Sequence, residues 1–174
     1  MLVNLTEVFT TAGKVEEKTF PIEMEEFQCA AGTYPLLEKT PLTLTMSNLG
    51  VGKALVKGKA EVLLGMACDR CLKEVPVKVL LDFERNFVSA DGKAPDEEEE
   101  NQDVQDGNQL DIEALVNSEI LMNLPDKVLC RPDCKGICKQ CGQNLNEGEC
   151  GCDDFVPDPR MAAIRDIFNA EREV

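Results

Sequence analysis

Eight of the nine cysteines in this chain fall into four close pairs: Cys68 and Cys71, Cys130 and Cys134, Cys138 and Cys141, Cys150 and Cys152. Eight thiolates make two complete sets of four ligands. Structural zinc takes four ligands, commonly all cysteine, and a short Cys-Cys spacing lets one tight turn present two sulfurs to the same ion. The chain contains no histidine, so mixed Cys/His centres are excluded. The spacing therefore predicts a protein folded around two four-cysteine zinc sites.

Three other chemistries use paired cysteines, and each fits less well. The opening Met1-Leu2-Val3-Asn4-Leu5-Thr6-Glu7 has no basic region, long apolar stretch or small-residue cleavage site. It does not read as a secretory signal, and in a reducing cytosol disulfides do not persist. A thioredoxin-like Cys-x-x-Cys belongs at the start of a helix, whereas Cys68-Asp69-Arg70-Cys71 lies between two strand-like runs. The spacing Cys134-x3-Cys138-x2-Cys141 matches that of iron–sulfur radical enzymes. Those need a barrel of roughly 200 residues or more, and this chain has no alternating strand–helix pattern to build one. Cys29 stands alone and reads as a small apolar residue of the interior.

Charge narrows the partners. The chain has 174 residues, 33 acidic against 18 basic, and a formal net charge of −15. Each zinc held by four thiolates adds a further −2, for a total of about −19. Such a body repels phosphate backbones at long range and attracts basic proteins. The apolar fraction is 43% but aromatics are only 5%, so the core must be mainly aliphatic. No apolar run approaches the roughly 20 residues that span a bilayer, and a cytoplasmic protein is expected. With zinc closed off by four thiolates and no histidine as acid or base, catalysis is not expected, nor is a small-molecule substrate.

The elements that must position the cysteines follow from periodicity. Residues 1–90 read as a β-rich domain. Val3 and Leu5 alternate, as do Phe20, Ile22 and Met24, and Thr40 to Met46 alternates strictly. Ser47-Asn48-Leu49-Gly50 then reads as a turn. Ala54–Val56 and Ala60–Leu64 are extended candidates leading into Cys68, and Val75 to Phe87 alternates on the far side, with Pro76 marking an edge. Two strands joined at Cys68-x2-Cys71 make a hairpin whose tip carries two ligands and needs two more.

Residues 91–109 hold eight acids against Lys93 and almost nothing apolar, and are expected to be an acidic flexible linker. Residues 110–174 form the last region. Ile112, Leu115, Val116, Ile120 and Met122 to Leu124 approximate an amphipathic helix capped by Asp111 and stopped by Pro125. Residues 130–152 carry six cysteines and four glycines but few bulky apolar groups, so metal binding would supply their folding free energy. Asp158-Pro159 opens a short C-terminal helix with Met161, Ile164, Ile167 and Phe168 on one face, expected to pack back on the first domain. The fold class is thus α+β: an antiparallel β-sheet with a Cys-x-x-Cys hairpin, one or two packed helices and a zinc-ribbon-like C-terminal segment.

Two divisions of the ligands are possible. In one, Cys138, Cys141, Cys150 and Cys152 form a local quartet, and Cys68 and Cys71 join Cys130 and Cys134. In the other, Cys130, Cys134, Cys138 and Cys141 are the local set and the hairpin meets Cys150 and Cys152. The first closes smaller loops overall and is favoured on that ground. Basic residues gather near the ligands: Lys53, Lys57, Lys59, Arg70, Lys73 and Lys78 around the first pair, Lys127, Arg131, Lys135 and Lys139 around the second. They offset thiolate charge or, alternatively, face RNA.

Cys68-Asp69-Arg70-Cys71-Leu72, the acidic insertion, Leu124-Pro125 and the run Leu129-Cys130-Arg131-Pro132-Asp133-Cys134-Lys135-Gly136-Ile137-Cys138 together resemble the YceD family. Cys141-Gly142-Gln143-Asn144-Leu145-Asn146 and Asp158-Pro159-Arg160 extend the resemblance over essentially the whole chain. It implies a non-enzymatic role in accumulating or processing 23S ribosomal RNA during large-subunit assembly, with no catalytic residues to carry over. Taken with the charge, it makes a basic large-subunit ribosomal protein or a pre-ribosomal particle the expected partner. Direct binding of precursor rRNA through the basic face is the alternative.

Overall fold

The computed structural model describes residues 1–89 and 105–152. The C-terminal helix expected after Asp158, and most of the acidic stretch, lie outside the described residues. In chain order the elements are β1 (Leu2–Asn4), α1 (Thr6–Thr10), β2 (Val15–Phe20), β3 (Glu26–Cys29), β4 (Gly32–Lys39), β5 (Leu42–Gly50), β6 (Lys53–Ala67), β7 (Glu74–Val88), β8 (Gln105–Asp106), β9 (Gln109–Asp111) and α2 (Ile112–Met122).

Strand β6 organises the six-stranded antiparallel sheet. One of its edges pairs with β7 over its full length, from Lys53↔Val88 to Ala67↔Glu74. The other is shared: β5 takes Lys53 to Lys59 and β4 takes Val62 to Leu64. Strand β2 extends the sheet beyond β5 and β3 extends it beyond β4. Alternation along β5 puts Leu42, Leu44 and Met46 on one face, where Val56, Val62 and Leu64 of β6 and Val79, Leu81 and Phe87 of β7 join them. Gly58 sits opposite Phe83 in this register, and a Cβ there would stand 2.1 Å from the ring. Only glycine lets that ring lie across the sheet.

Helix α2 covers the same core with Ile112, Leu115, Val116 and Ile120. Its Asp111 cap accepts from the Glu113 N–H at 3.0 Å, as the sequence predicts, and the helix ends before Pro125. A buried ion pair fastens it to the sheet: Arg85 Nε of β7 meets Glu119 Oε1 at 2.6 Å. The same guanidinium donates to Ser118 Oγ at 3.2 Å.

The fold class is as expected, an antiparallel sheet with two helices, but several boundaries differ. Ser47 to Gly50 is the end of β5, and the turn falls at Val51-Gly52. Asn48 explains the shift: its amide donates to the Val8 carbonyl at 2.7 Å, tying β5 to α1 rather than turning the chain. The extended segments on either side of Lys57-Gly58-Lys59 are one strand, and the alternation after Phe20 does not continue as strand. The far end of the expected linker is folded. Gln105 and Asp106 form β8, which turns through Gly107 (φ 60°) onto β9, and β9 pairs with β1.

Candidate metal centres

The hairpin of β6 and β7 ends in the turn from Cys68 to Leu72, closed by Leu72 N–H to Cys68 O at 2.9 Å and Cys68 N–H to Lys73 O at 2.8 Å. Asp69 carries the long-range connection. Its N–H donates to Val128 O at 2.9 Å, and its carboxylate accepts from Val128 N–H at 2.7 Å. These bonds lay residues 128–134 alongside the turn, and Arg70 donates to Cys134 O at 2.7 Å from the other side. The result brings Cys68, Cys71, Cys130 and Cys134 together with every sulfur within 4.8 Å of the others.

The spacing suits a four-thiolate metal site. Zn–S bonds of about 2.3 Å in a tetrahedron set the sulfurs about 3.8 Å apart. Cys68 Sγ lies 3.8 Å from Cys134 Sγ, and Cys71 Sγ lies 3.5 Å from Cys130 Sγ. A disulfide would need about 2.05 Å, and all nine cysteines are free thiols. Cys68 and Cys134 are 0% and 1% exposed, packed with Val75 and Leu129 in a small apolar cluster of their own.

The second group, Cys138, Cys141, Cys150 and Cys152, meets the same 4.8 Å condition. Its first turn repeats the hairpin's: Gly142 N–H donates to Cys138 O at 2.9 Å, as Leu72 does to Cys68. Gly142 adopts φ 75° there, and Leu72 is held at φ 60°, the sole positive φ of a non-glycine residue among the described residues. An isolated bridge between Ile137 and Asn144 frames the loop. Ile137 N–H donates to Arg70 O at 3.1 Å, and Gly136 (φ 85°) would place a Cβ 3.1 Å from that oxygen. Arg70 thus touches both segments, donating to Cys134 O through its guanidinium and accepting from Ile137 N–H at its carbonyl. Within residues 130–152 the buried residues are Cys134, Gly136 and Cys138, so no apolar core holds this segment.

Asn146 joins the two groups and was not singled out by sequence reasoning. Its amide donates to Cys134 Sγ at 3.3 Å, while its oxygen accepts from Lys135 N–H and from Arg131, both at 2.8 Å. An Asn placed among cysteines in Asn144-Leu145-Asn146 is a signal visible only once the loop's path is known.

Each group splits its thiols electrostatically. Burial pushes Cys68 up, but N–H groups of Arg70, Cys130 and Cys71 outweigh it and bring the thiol down to about 6. Burial and the neighbouring sulfurs push Cys130 up to about 12. In the second group the N–H groups of Cys141 and Gln140 bring Cys138 down to about 6, and Cys141 pushes Cys152 up to about 12. Four thiolates this close need a cation to coexist, and a divalent ion would supply it. Both groups are able to hold a metal ion.

The rival readings fare as follows. Cys134 belongs to one group and Cys138 and Cys141 to the other, so the cluster-like triplet is divided. Cys29 packs against the main core on β3, in neither group. Among the basic residues near the hairpin, Lys57 pairs with Glu84 at 2.7 Å, Lys59 with Asp82 at 3.3 Å and Lys78 with Glu61 at 2.6 Å, all across β6 and β7. Three of the six basic residues of that stretch are thus paired with acids on the sheet surface. No helix among the described residues is long and apolar enough to cross a membrane.

Among curated proteins the chain is similar to uncharacterized proteins of Mycobacterium tuberculosis and Mycobacterium bovis, 31% identical over 134 residues. The match covers 76% of this chain and 63% of theirs, so the chain spans under two thirds of those relatives' length. No solved structure matches. The model of the large ribosomal RNA subunit accumulation protein YceD matches residues 56–168, which include all eight paired cysteines, and the chain belongs to the YceD family.

Proposed function

We propose that this protein is a non-enzymatic factor of large ribosomal subunit biogenesis. In this reading it supports 23S rRNA accumulation in the cytoplasm by holding a basic large-subunit ribosomal protein or a precursor particle. Zinc at Cys68, Cys71, Cys130 and Cys134 cross-links the second half of the chain to the β-hairpin, and zinc at Cys138, Cys141, Cys150 and Cys152 closes the loop of residues 138–152 on itself. Family membership supports the setting. The observation that favours a basic partner over naked RNA is the ladder of Lys57, Lys59 and Lys78 with Glu84, Asp82 and Glu61. It offsets three of the basic residues of that face in a chain whose net charge is −15. Attraction to a basic protein would then be long-ranged and weakened by salt.

The test is crosslinking in cells followed by mass spectrometry, paired with affinity capture at low and high salt. Recovery of a large-subunit protein or precursor particle at low salt, lost at high salt, is expected. Direct contact with precursor RNA is the competing outcome. It would appear as RNA crosslinks at the β6–β7 face, weakened by charge reversal at Lys57, Lys59 and Arg70. Zinc content of two per chain by mass spectrometry is expected, and one would leave a group vacant.

A further inference from the structure

The two cysteine groups differ in how far solvent can reach them. In the first, Cys68, Cys71 and Cys134 are buried, Cys130 is half-buried, and Val75 and Leu129 close the apolar shell. Its ligands come from segments 59 and 66 residues apart, fixed to each other by the paired bonds of Asp69 and Val128. Opening it requires breaking those bonds and exposing the apolar shell. In the second, Cys141 is exposed, Cys150 and Cys152 are half-buried, and only Cys138 is buried. No buried apolar cluster surrounds it among the described residues. Its ligands lie on one short loop held by local backbone bonds, Cys138 N–H to Gln143 O at 2.8 Å and Leu145 N–H to Gly136 O at 2.9 Å. Segments held by few buried contacts open at low free energy.

We propose that the second group is a thiol-modification site, an exchangeable zinc centre open to electrophiles and peroxides, while the first is a locked structural centre. This inference rests on the zinc reading above. Cys141 is the point of entry. In the peroxide case its thiolate sulfur attacks one peroxide oxygen and the O–O bond breaks. This leaves a sulfenic acid on Cys141 and releases hydroxide, which takes a proton to become water. A second thiolate of the group then attacks the sulfenic sulfur, the S–O bond breaks and a disulfide forms. The second hydroxide likewise becomes water. Two sulfurs are oxidised by two electrons in all and the peroxide is reduced by two, and a zinc ion held there would be left with two of its four ligands. Residues 138–152 then lose their cross-link while the hairpin keeps its own.

The experiment uses the full zinc-loaded chain, challenged with hydrogen peroxide or with N-ethylmaleimide. Zinc release is followed with a chromophoric chelator, and modified cysteines are located by peptide mass spectrometry. The expected result is one zinc equivalent leaving at least about tenfold faster than the other. Cys138, Cys141, Cys150 and Cys152 should be modified in that phase, and Cys68, Cys71, Cys130 and Cys134 spared. A single phase, or first-group cysteines modified as early, overturns the proposal. The Cys141→Ser chain should lack the fast equivalent and keep the slow one, and loss of both also overturns it. The zinc count before challenge tests the metal reading separately, since cysteine reactivity is ranked from peptide masses whatever the loading.

Discussion

Replacing Asn146 by Asp tests whether the second loop tunes the first centre. The two side chains have nearly the same shape, so Asn146→Asp keeps an oxygen to accept from Lys135 N–H and Arg131, now at 2.8 Å each. What it removes is the amide donor that lies 3.3 Å from Cys134 Sγ and 2.8 Å from Asn144 Oδ1, and in its place it puts an acceptor bearing negative charge. One of the three polar contacts that link Asn146 to the first centre is lost, and the one lost points at a ligand sulfur. Outer-shell changes of this kind typically cost about 10–100-fold in metal affinity, and the added like charge drives the value towards the upper end. The Asn146→Ala chain loses the donor without gaining a charge, so it should weaken zinc less at the sulfur while loosening residues 131–135 more. The assay is competition for zinc against a chelator of known affinity, reading the tighter of the two equivalents. Affinity of Asn146→Asp within threefold of the parent would refute the reasoning, because the N–H···S contact would then contribute nothing to that centre.

Three further outcomes follow from the geometry. In the metal-free fold Cys130 and Cys152, pushed up to about 12, hold their protons at neutral pH, whereas Cys68 and Cys138 at about 6 are ionised. Zinc binding must therefore release protons at neutral pH, and affinity falls as pH falls, more steeply once Cys68 and Cys138 also protonate below about 6. Calorimetry in buffers of different ionisation enthalpy reads this, and zero proton release would contradict it. Leu72 is 67% exposed and held at φ 60°, so Leu72→Gly relieves left-handed strain of about 1–2 kcal/mol with little packing lost. Part of that is offset by the freer unfolded chain, and a net gain of up to about 1 kcal/mol in urea unfolding is expected; a net loss would show that the side chain packs. Arg85→Met should destabilise by about 3 kcal/mol by leaving Glu119 buried and unpaired, and adding Glu119→Leu should recover most of it. If the double variant is no better than the single in denaturant unfolding, the penalty is not one of unpaired charge.

The grouping of the eight paired cysteines was legible because cysteine spacing is a local property. The division into two groups was favoured by loop closure and is the one that the structure brings together. Helix α2 was legible from its Asp111 cap onward, although it ends at Met122, two residues short of the Leu124 that the stop at Pro125 suggests. Other elements were hidden by residues that serve a neighbour. Gly58 interrupts β6 on paper because it makes room for Phe83, a partner 25 residues away. Pro35 and the bulge near Leu37 break the alternation of β4, and the five residues of α1 are too few to show a period. Asn48 reads as a turn residue because its real partners, the carbonyls of Val8 and Phe9, are invisible from position 48. The lysine ladder was misleading for the same reason. Counting charges along the chain gives a positive stretch, and only the pairing of β6 with β7 reveals that Lys57, Lys59 and Lys78 each meet an acid.

The first centre draws its sulfurs from both sides of residues 90–104, and this fixes an order of events during synthesis. Cys71 emerges 59 residues before Cys130. At about 5–20 residues per second, the hairpin spends roughly 3–12 s displaying two open thiolates before their complements exist. Strand β1 waits as well, because its partner β9 begins only at Gln109. A nascent chain of this protein therefore presents a half-built site before it is a finished fold, and an ion captured there would wait for Cys130 and Cys134 to complete its ligand set.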